Sequence, residues 1–479
     1  MPRDRGGMLI PVLIFSAIFM MLATALLQFL LTQHTFMKTR VEREQAFTIA
    51  EAGLEYYKWF LAHYPNDFTN GTGEPGPYVI DYDDPEGDVI GTYTLDISGS
   101  SYCNVTSSVD IRSTGAPAVN PARTRTVFGR YARPTVADYA YILAADVWAG
   151  ADRQIFGPYH SNGGIRMDGT NHSSVSSGRA TWNCTPSFGC NPAQPHAPGV
   201  FGGSPNSHLW ATGTPPISFS DLTVDLVNLK ASAQADGLYF AQVSGGSPER
   251  GYRAVLQPNA TIDVYRVDSS ALVWSYDLRN ASTTPQYWQQ RREIITGHTF
   301  LGNYTLPPDC PVVFFEDRVW LEGQVGSKVT VVSADLLDAT YTTDIIINNN
   351  ITYTTVDGSV GLTAIAQHDM TIPLASPNNL VLQGIFIAQT GRFGRNHYRS
   401  ASPYSVPAGY GTYVTRASIN TLGTIVSSGR VGERWTSEGT TLSGYLSRTN
   451  TYHAALASDP PPLTPATSVD YRLVLWREE

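Results

Sequence analysis

The sequence predicts a mainly β protein with one long N-terminal α-helix, and three observations lead to this fold class. An apolar run near the N-terminus continues into a polar segment with no further proline until Pro65. Short apolar pairs of period two recur through the rest of the 479 residues, a pattern typical of strands. Charged residues make up only 15% of the chain, while Gly, Ser, Thr, Asn and Tyr abound, which favours strands joined by many turns. The net charge of −9 argues against a generally basic surface that binds phosphates.

The N-terminal helix is predicted to have two halves of different character. Residues 8–31 contain no charge and would form about 36 Å of helix at about 1.5 Å per residue, enough to span a bilayer. Residues 32–65 would continue the helix outside the membrane. Its apolar and small residues keep helical spacing there, at Ala46, Phe47, Ala50, Gly53, Leu54, Tyr57 and Leu61. Because Gly costs about 1 kcal/mol relative to Ala inside a helix, Gly53 predicts that another element packs closely.

The N-terminus combines a basic leader ending in Gly7, the apolar run MLIPVLIF and the later string REQAFTIAEAGLEY. Together these features resemble type IV pilin-like proteins, most closely the PilX-type minor pilins. The resemblance implies that a prepilin peptidase removes residues 1–7 by cleaving between Gly7 and Met8. Pro11 would then be the fourth residue of the mature chain, where a helix N–H has no internal partner and the proline removes no hydrogen bond. An ordinary signal anchor with a long stalk helix is the alternative.

The same resemblance implies a location and a set of partners. The protein would be a single-pass protein of the bacterial inner membrane, with a cytoplasmic N-terminus, and would later lie in a pilus or on the cell surface. Its partners would be the inner membrane, other pilins, the pilus assembly machinery and the prepilin peptidase. Major pilins carry a glutamate at the fifth mature position, which pairs with a neighbour's N-terminal amine. This chain has Val12 there, which predicts a place at or near the filament tip.

The four cysteines, an even number on the presumed exported side, predict two disulfides. Cys184 and Cys190 are close enough to close a small loop, which leaves Cys103 with Cys310, although three connectivities are possible. A zinc site is disfavoured because neither CxxC spacing nor a nearby histidine pair accompanies them. No cofactor is expected apart from one weak calcium candidate.

Residues 66–135 predict an antiparallel, pilin-like β-meander. Apolar residues alternate around Tyr93, Leu95 and Ile97 and again at Val109 and Ile111. The acidic stretch DYDDPEGDVIG is the calcium candidate, because carboxylates cluster around a glycine turn at Asp81, Asp83, Asp84, Glu86 and Asp88. A solvated hairpin loop is the preferred interpretation of that stretch.

Residues 136–455 predict an inserted β-solenoid with irregular coils and a helical insertion near 216–300. The period-two pairs that carry this prediction include Val319/Leu321, Val329/Val331, Ile345/Ile347, Met370/Ile372 and Ile385/Ile387. Within the insertion, Ser220 is the predicted N-cap of a helix that Gly237 ends. A large β-sandwich is the alternative to the solenoid, because the intervals between the pairs are uneven.

Residues 456–479 predict a rigid linker at Pro460–Pro462, followed by a strand that returns to the meander and carries Tyr471, Leu473 and Leu475 on one side. This arrangement is similar to competence-type minor pilins of the ComZ kind, which carry a β-solenoid inserted in a pilin domain.

Enzymatic motifs are scarce in the sequence, and no catalytic residue is predicted. His160 and His368 are interpreted as residues that cap or bridge coil turns. The carboxylate cluster Glu316, Asp317 and Glu322 is interpreted as a solvated edge. The sequence therefore favours a protein that is not an enzyme.

The segment GRFGRNHYRS is the candidate ligand-contact loop. Arginines that would neutralise phosphates or acidic sugars alternate there with rings that would stack on bases or sugars: Arg392, Phe393, Arg395, His397, Tyr398 and Arg399. The alternative is a loop whose arginines pair with local acids and cap carbonyls.

The favoured function is a minor type IV pilin or pseudopilin that displays a β-solenoid for surface adhesion or ligand capture. A competence pilin that captures DNA is the second hypothesis. A membrane-anchored solenoid enzyme acting on surface polysaccharide is the third.

Overall fold

The structure is a computed structural model that describes residues 8–219, 225–243, 250–277, 288–338, 341–437 and 439–479. The chain divides into two units. The first comprises Met1–Gly99, Val109–Tyr131 and Tyr471–Glu479, and the second Ser100–Ser108 and Ala132–Asp470. The predicted fold class is confirmed, because the described chain is mainly β with one long N-terminal helix.

Helix α1 (Leu9–His63) is continuous, and its first half is apolar and exposed. By length and composition the helix could span a membrane. Its hydroxyl groups find partners within the helix: those of Ser16, Thr24 and Thr32 donate to the carbonyl four residues earlier, at 2.8, 2.6 and 2.8 Å. Such bonds suit a lipid environment, where an unsatisfied polar group is expensive. The predicted leader and Gly7 lie outside the described residues.

The second half of α1 packs on a five-stranded sheet within the first unit. The strands, numbered in chain order through the whole protein, are β1 (Tyr78–Asp83), β2 (Val89–Tyr102), β3 (Val105–Pro117), β4 (Arg125–Ala132) and β31 (Arg472–Glu478). They neighbour one another in the order β1-β2-β3-β4-β31, so the C-terminal strand lies beside β4. The core between helix and sheet contains Leu54, Tyr57, Leu95, Val109 and Ile111.

Helix and sheet approach closely at two glycines. A Cβ added to Gly53 would lie 2.2 Å from Ser113 Oγ, and one added to Gly115 would lie 2.1 Å from the carbonyl oxygen of Ala46. The expectation that an element packs tightly at Gly53 is therefore confirmed.

Among the described residues, the second unit contains the remaining strands and two short α-helices. The helices are α2 (Leu226–Ala235) and α3 (Ala454–Ser458). The strands before α2 are β5 (Tyr141–Leu143), β6 (Val147–Ala149), β7 (Arg153–Phe156), β8 (Tyr159–Ser161), β9 (Ile165–Met167), β10 (Thr170–Asn171), β11 (Val175–Ser177), β12 (Thr181–Cys184), β13 (Gln194–Pro198), β14 (Val200–Phe201) and β15 (Trp210–Thr212). Those between α2 and α3 are β16 (Leu238–Phe240), β17 (Gly251–Gln257), β18 (Thr261–Tyr276), β19 (Trp288–Thr305), β20 (Val312–Phe315), β21 (Val319–Val325), β22 (Lys328–Ser333), β23 (Ile345–Tyr353), β24 (Gly361–Ala366), β25 (Met370–Ile372), β26 (Asn379–Ala388), β27 (Phe393–Arg395), β28 (Thr415–Ser427), β29 (Arg434–Ser437) and β30 (Thr440–Thr451).

Most of these strands pair in parallel. One ladder runs in the order β16-β20-β22-β24-β26-β28-β5-β8-β11-β15. A second runs β17-β21-β23-β25-β27, a third β26-β28-β30-β7-β10, and a fourth β6-β9-β14. The first ladder is not in chain order, because Ile425 of β28 pairs with Tyr141 of β5. Two distant parts of the sequence thus form one ladder.

Several of the parallel strands are buried along their whole length. Every residue of β20, β22 and β24 is buried, and all the members of the period-two pairs that predicted the coils are buried. Strands buried on both faces carry near-continuous apolar runs, so the period-two pattern marked only part of each strand.

The predicted insertion near 216–300 corresponds to α2 and a long antiparallel hairpin, β18–β19. Asp225 caps α2, since its Oδ1 accepts the backbone N–H groups of Val227 and Asn228 at 3.0 and 3.1 Å. The predicted cap, Ser220, lies outside the described residues.

The rigid linker predicted at Pro460–Pro462 lies within the second unit. Pro460, Pro461 and Pro462 are buried in the second unit, where the Thr330 hydroxyl donates to the carbonyl of Pro462. Prolines have no N–H that needs a partner, which suits them to a buried segment without secondary structure. The four cysteines form two disulfides, Cys103–Cys310 and Cys184–Cys190.

Candidate ligand-binding cleft

The segment GRFGRNHYRS is not the exposed contact loop that the sequence predicted. Of its six candidate contact residues, Arg392, Phe393, Arg395 and Tyr398 are buried, and His397 and Arg399 are partly exposed. The physical reason is that Phe393–Arg395 form a strand of the second ladder, where the backbone lies inside the unit.

The buried arginines of this segment have partners inside the protein. Arg392 Nε donates to Asp277 at 3.2 Å. Arg395 donates to the carbonyls of Leu374, Tyr413 and Val414 at 3.1, 2.7 and 3.1 Å. The structure thus agrees with the alternative interpretation, in which the arginines pair with acids and cap carbonyls.

The interpretation of Glu316, Asp317 and Glu322 as a solvated edge is also wrong, because all three are buried. Glu316 accepts from Lys230 at 2.5 Å, and Glu322 accepts from Arg253 at 2.6 Å. Asp317 accepts the backbone N–H of Val243 at 3.0 Å. Separate partners satisfy each carboxylate, so the three do not form one site.

His160 bridges neighbouring strands. Its Nδ1 lies 2.8 Å from Ser176 Oγ on β11, and its Nε2 lies 2.9 Å from Asn162 Oδ1. Burial lowers the pKa of His160.

His368 forms a cluster with Asp344 and Asp369. In the described part of the chain, this is the one set of three His, Cys, Asp or Glu side chains whose potential metal-ligand atoms lie within 4.8 Å of one another. Arg318 lies 3.6 Å from Asp344, and Arg291 lies 3.4 Å from Asp369. Burial alone would raise the pKa of Asp344, but the hydrogen bond from His368 and the charge of Arg318 lower it to about 2. Two guanidinium groups already neutralise these acids, so the cluster fits an internal ion-pair network better than a metal site.

The calcium candidates lie at the β1–β2 turn. Asp84 and Asp88 hydrogen-bond with each other there, through two contacts of 2.9 Å. Among the described residues, no three of the candidates bring their carboxylate oxygens within 4.8 Å of one another; the candidates are Asp81, Asp83, Asp84, Glu86 and Asp88.

A cleft of about 770 Å³ in the second unit is the strongest candidate site, and the sequence did not predict it. Its walls combine aromatic rings with charged and hydroxyl groups, contributed by Trp148, Asp152, Ser187, Tyr276, His397, Arg430, Arg434, Trp435, Thr436, Ser437 and Arg448. The string GRVGERW, which contains Arg430, Arg434 and Trp435, combines two arginines with one aromatic residue. His397 is the one candidate contact residue that lines the cleft.

Three rings form an aromatic wall of the cleft. His397 stacks on Trp435 with centroids 5.3 Å apart, and Tyr276 lies edge-on to Trp435, also at 5.3 Å. Backbone hydrogen bonds of 3.0 and 2.9 Å join Tyr276 to His397, and Trp435 Nε1 donates to the carbonyl of Arg395 at 3.0 Å. Burial and the neighbouring Arg399 lower the pKa of His397 to about 4, so its ring is neutral near pH 7.

Trp148, which also lines the cleft, is fixed in a similar way. Its Nε1 donates to Asp168 at 2.8 Å, and the guanidinium of Arg166 lies 4.9 Å from its ring centroid. Both tryptophans therefore use their N–H groups within the protein, and the carbon surfaces of the rings are what they can offer a ligand.

Two of the three cleft arginines pair with the same acid. Arg448 binds both oxygens of Asp152 at 2.6 and 2.8 Å, and Arg434 lies 3.1 Å from the same carboxylate. Burial alone would raise the pKa of Asp152, but the bonds and charge of Arg448 outweigh it and lower that pKa.

Arg430 differs from the other two. It donates to Ser187 Oγ and to the Ser187 carbonyl at 2.6 and 2.8 Å, and it has no carboxylate within 4.0 Å among the described residues. Its guanidinium lies 4.1 Å from the Phe188 ring centroid. Burial lowers the pKa of Arg430 to about 10, while the charge of Asp146 opposes this shift and that of Arg392 adds to it; the guanidinium stays charged near pH 7.

Comparisons with known proteins give a structural likeness. No family model and no curated protein matches the chain. The crystal structure of the competence-associated pilin ComZ from Thermus thermophilus is similar over 91% of this chain and 97% of that chain, at 13% identity and a TM-score of 0.31. A likeness of this strength does not establish a shared fold or function.

Proposed function

We propose that the protein is a minor subunit of a type IV pilus or secretion pseudopilus, anchored through α1, and that its second unit serves for adhesion or ligand capture. The observation that carries the proposal is the division of α1. One continuous helix has an apolar first half without buried residues and a second half buried on a sheet from Glu42 to Leu61. A plain membrane anchor needs only the first half, whereas a filament subunit needs an anchor and a packing surface in one helix.

The resemblance of the N-terminus to type IV pilins supports the same proposal. With cleavage after Gly7, Pro11 falls among the first four residues of the mature helix. Val12 takes the place of the glutamate of major pilins, so it cannot neutralise a neighbour's amine. This defect costs least at the end of a filament, and we place the subunit at or near the tip in few copies.

We infer further that the parallel ladders of the second unit are the stacked walls of a β-solenoid inserted in a pilin-like domain. Strands β5, β6 and β7 contribute in turn to the first, fourth and third ladders, and β8, β9 and β10 repeat that order. A chain that revisits its walls in the same order makes coils. The predicted domain limits of 136–455 and 456–479 are replaced in this proposal by a second unit that continues to Asp470.

DNA capture no longer has the support from which it was predicted, because Arg392 and Arg395 are buried. Among the described residues, no arrangement of side chains favours the polysaccharide enzyme.

The proposal is tested by the N-terminal mass of the membrane-extracted protein from a strain with an active prepilin peptidase. We expect a chain that begins at Met8. Gly7→Val should leave the leader in place, whereas the matched control Gly6→Val should be processed. Recovery of Met1-bearing protein alone would contradict the proposal. Antibodies against 137–455 should label filament ends or the cell surface, and dense labelling along whole shafts would refute the tip location.

A further inference from the structure

The cleft has the size of a small-molecule site. Its volume of about 770 Å³ lies within the range of roughly 300–1,000 Å³ usual for ligand pockets. Its walls are held by internal contacts: Trp435 and Trp148 are fixed through their N–H groups, and Arg448 is fixed by Asp152. Fixed walls reduce the ordering that a ligand would otherwise have to impose.

The aromatic rings suit the C–H face of a sugar. The π face of a ring carries partial negative charge, and the axial C–H groups of a pyranose carry partial positive charge. Tyr276, His397 and Trp435 lie together on one wall, and His397 adds a neutral rather than a charged ring near pH 7. Hydroxyl groups of a sugar would find donors and acceptors at Ser187, Thr436 and Ser437 along the cleft.

The cleft holds a carboxylate among its arginines. Asp152 pairs with both Arg434 and Arg448, so a chain of phosphates that followed these arginines would meet its negative charge. Arg430 has no carboxylate within 4.0 Å among the described residues, and its remaining N–H groups could donate to one carboxylate of a ligand.

We infer that this cleft binds a short saccharide that contains a uronic acid, with a sugar ring against Trp435 and a carboxylate at Arg430. The inference concerns the second unit and does not depend on filament assembly. A failure of leader processing would therefore not contradict the inference that the cleft binds a saccharide.

The test is a titration of the full chain, in a detergent without a sugar headgroup, followed by tryptophan emission and calorimetry. The probes are trimers of galacturonate, guluronate, mannuronate and glucuronate, the methyl esters of the same trimers, and a thymidine hexanucleotide. We expect at least one uronate trimer to bind, and its methyl ester, which has the same shape without the charge, to bind at least about tenfold more weakly.

Two cleft variants locate the binding. Trp435→Ala should weaken every saccharide by at least about tenfold. Arg430→Gln should weaken the uronate to the level of its methyl ester and leave the ester unchanged. The matched controls lie on the β18–β19 hairpin: Phe300→Ala, at a ring that is 55% exposed, and Arg266→Gln, at an exposed ion pair with Asp268. Both controls should bind as the native protein does.

Near-UV circular dichroism shows whether Trp435→Ala keeps its tertiary structure. If it does not, Arg430→Gln, whose side chain contacts Ser187 and Phe188, carries the test. The inference is overturned if no uronate binds, if binding survives both substitutions, or if the hexanucleotide binds more tightly through the same two residues.

Discussion

The two units bury different kinds of side chain. In the first unit, Glu42 is the one buried charged residue among those described, and the core consists of apolar side chains with glycines where α1 meets the sheet. The second unit buries many charged residues, among them Arg153, Asp277, Glu293, Glu316, Arg395 and Glu433. We therefore expect the stability of the first unit to depend mainly on side-chain volume, and that of the second unit on the pairing of buried charges. Substitutions that change only volume or only charge should affect the two units differently.

The largest effect is expected where charge is removed inside the second unit. Glu433 pairs with Arg153, and Arg448 lies 3.7 Å from the same carboxylate. Burial alone would lower the pKa of Arg153, but Glu433 outweighs it and raises that pKa. Glu433→Gln keeps the shape and removes the charge, which leaves a buried guanidinium without compensation. We expect unfolding to become easier by about 3–5 kcal/mol.

The control for this change is the same substitution at an exposed pair of the first unit. Glu55 lies 3.1 Å from Lys58, and both side chains are more than half exposed. Glu55→Gln should change the free energy of unfolding by less than about 0.5 kcal/mol. Equal effects of Glu433→Gln and Glu55→Gln in urea unfolding would contradict the role of charge in the second unit.

The second effect tests volume in the first unit. A Cβ on Gly115 would lie 2.1 Å from the carbonyl oxygen of Ala46 and 2.5 Å from the backbone nitrogen of Ala50, and neither backbone atom can rotate away. Gly115→Ala should therefore push β3 away from α1 and destabilise the first unit by about 1–3 kcal/mol. Hydrogen exchange of the α1 amides near Ala50 should become faster.

The matched control is Gly411→Ala in the second unit, where an added Cβ would meet only Ser400 Oγ, at 3.7 Å. It should leave stability nearly unchanged. If Gly115→Ala were equally harmless, the close approach of helix and sheet would not limit the first unit.

The difference between the units also explains what the sequence could predict. The first unit follows from local patterns: α1 from helical spacing, and the close contact from Gly53 within that helix. The buried pairs of the second unit join residues far apart in the chain, such as Arg153 with Glu433 and Arg392 with Asp277, separated by 280 and 115 positions. No local pattern indicates such a partner. The partners of the arginines in GRFGRNHYRS are also distant in the chain, and the segment was therefore predicted to be an exposed loop.

The order of the strands in the first ladder could not be predicted from the sequence either. The join between β28 and β5 brings Ile425 beside Tyr141, although each segment shows only its own short apolar runs. The cleft depends on this long-range order, since Trp148 and Asp152 come from one part of the chain and Arg430 and Trp435 from another. Its residue types were visible in the sequence, but their proximity was not.

The smallest effect is expected from the titration of His397, a partly buried ring in the second unit. Its pKa is about 4 in the folded protein, below its ordinary value of 6.5, through burial and the neighbouring Arg399. Above pH 6.5 the ring is neutral in both the folded and unfolded chain, so it imposes no penalty. As the pH falls from 6.5 to 4, the unfolded chain takes up a proton that the folded protein does not, and stability decreases. The partial exposure of the ring allows solvent to screen its charge, and we expect a loss of stability of about 1–2 kcal/mol.

In urea unfolding, His397→Gln should therefore lose that much less stability than the native protein between pH 7 and pH 4. His208→Gln, at an exposed histidine, is the control for removing a histidine as such. If His397→Gln and the native protein lost stability in parallel over this range, the cleft ring would not contribute to the acid sensitivity of the second unit.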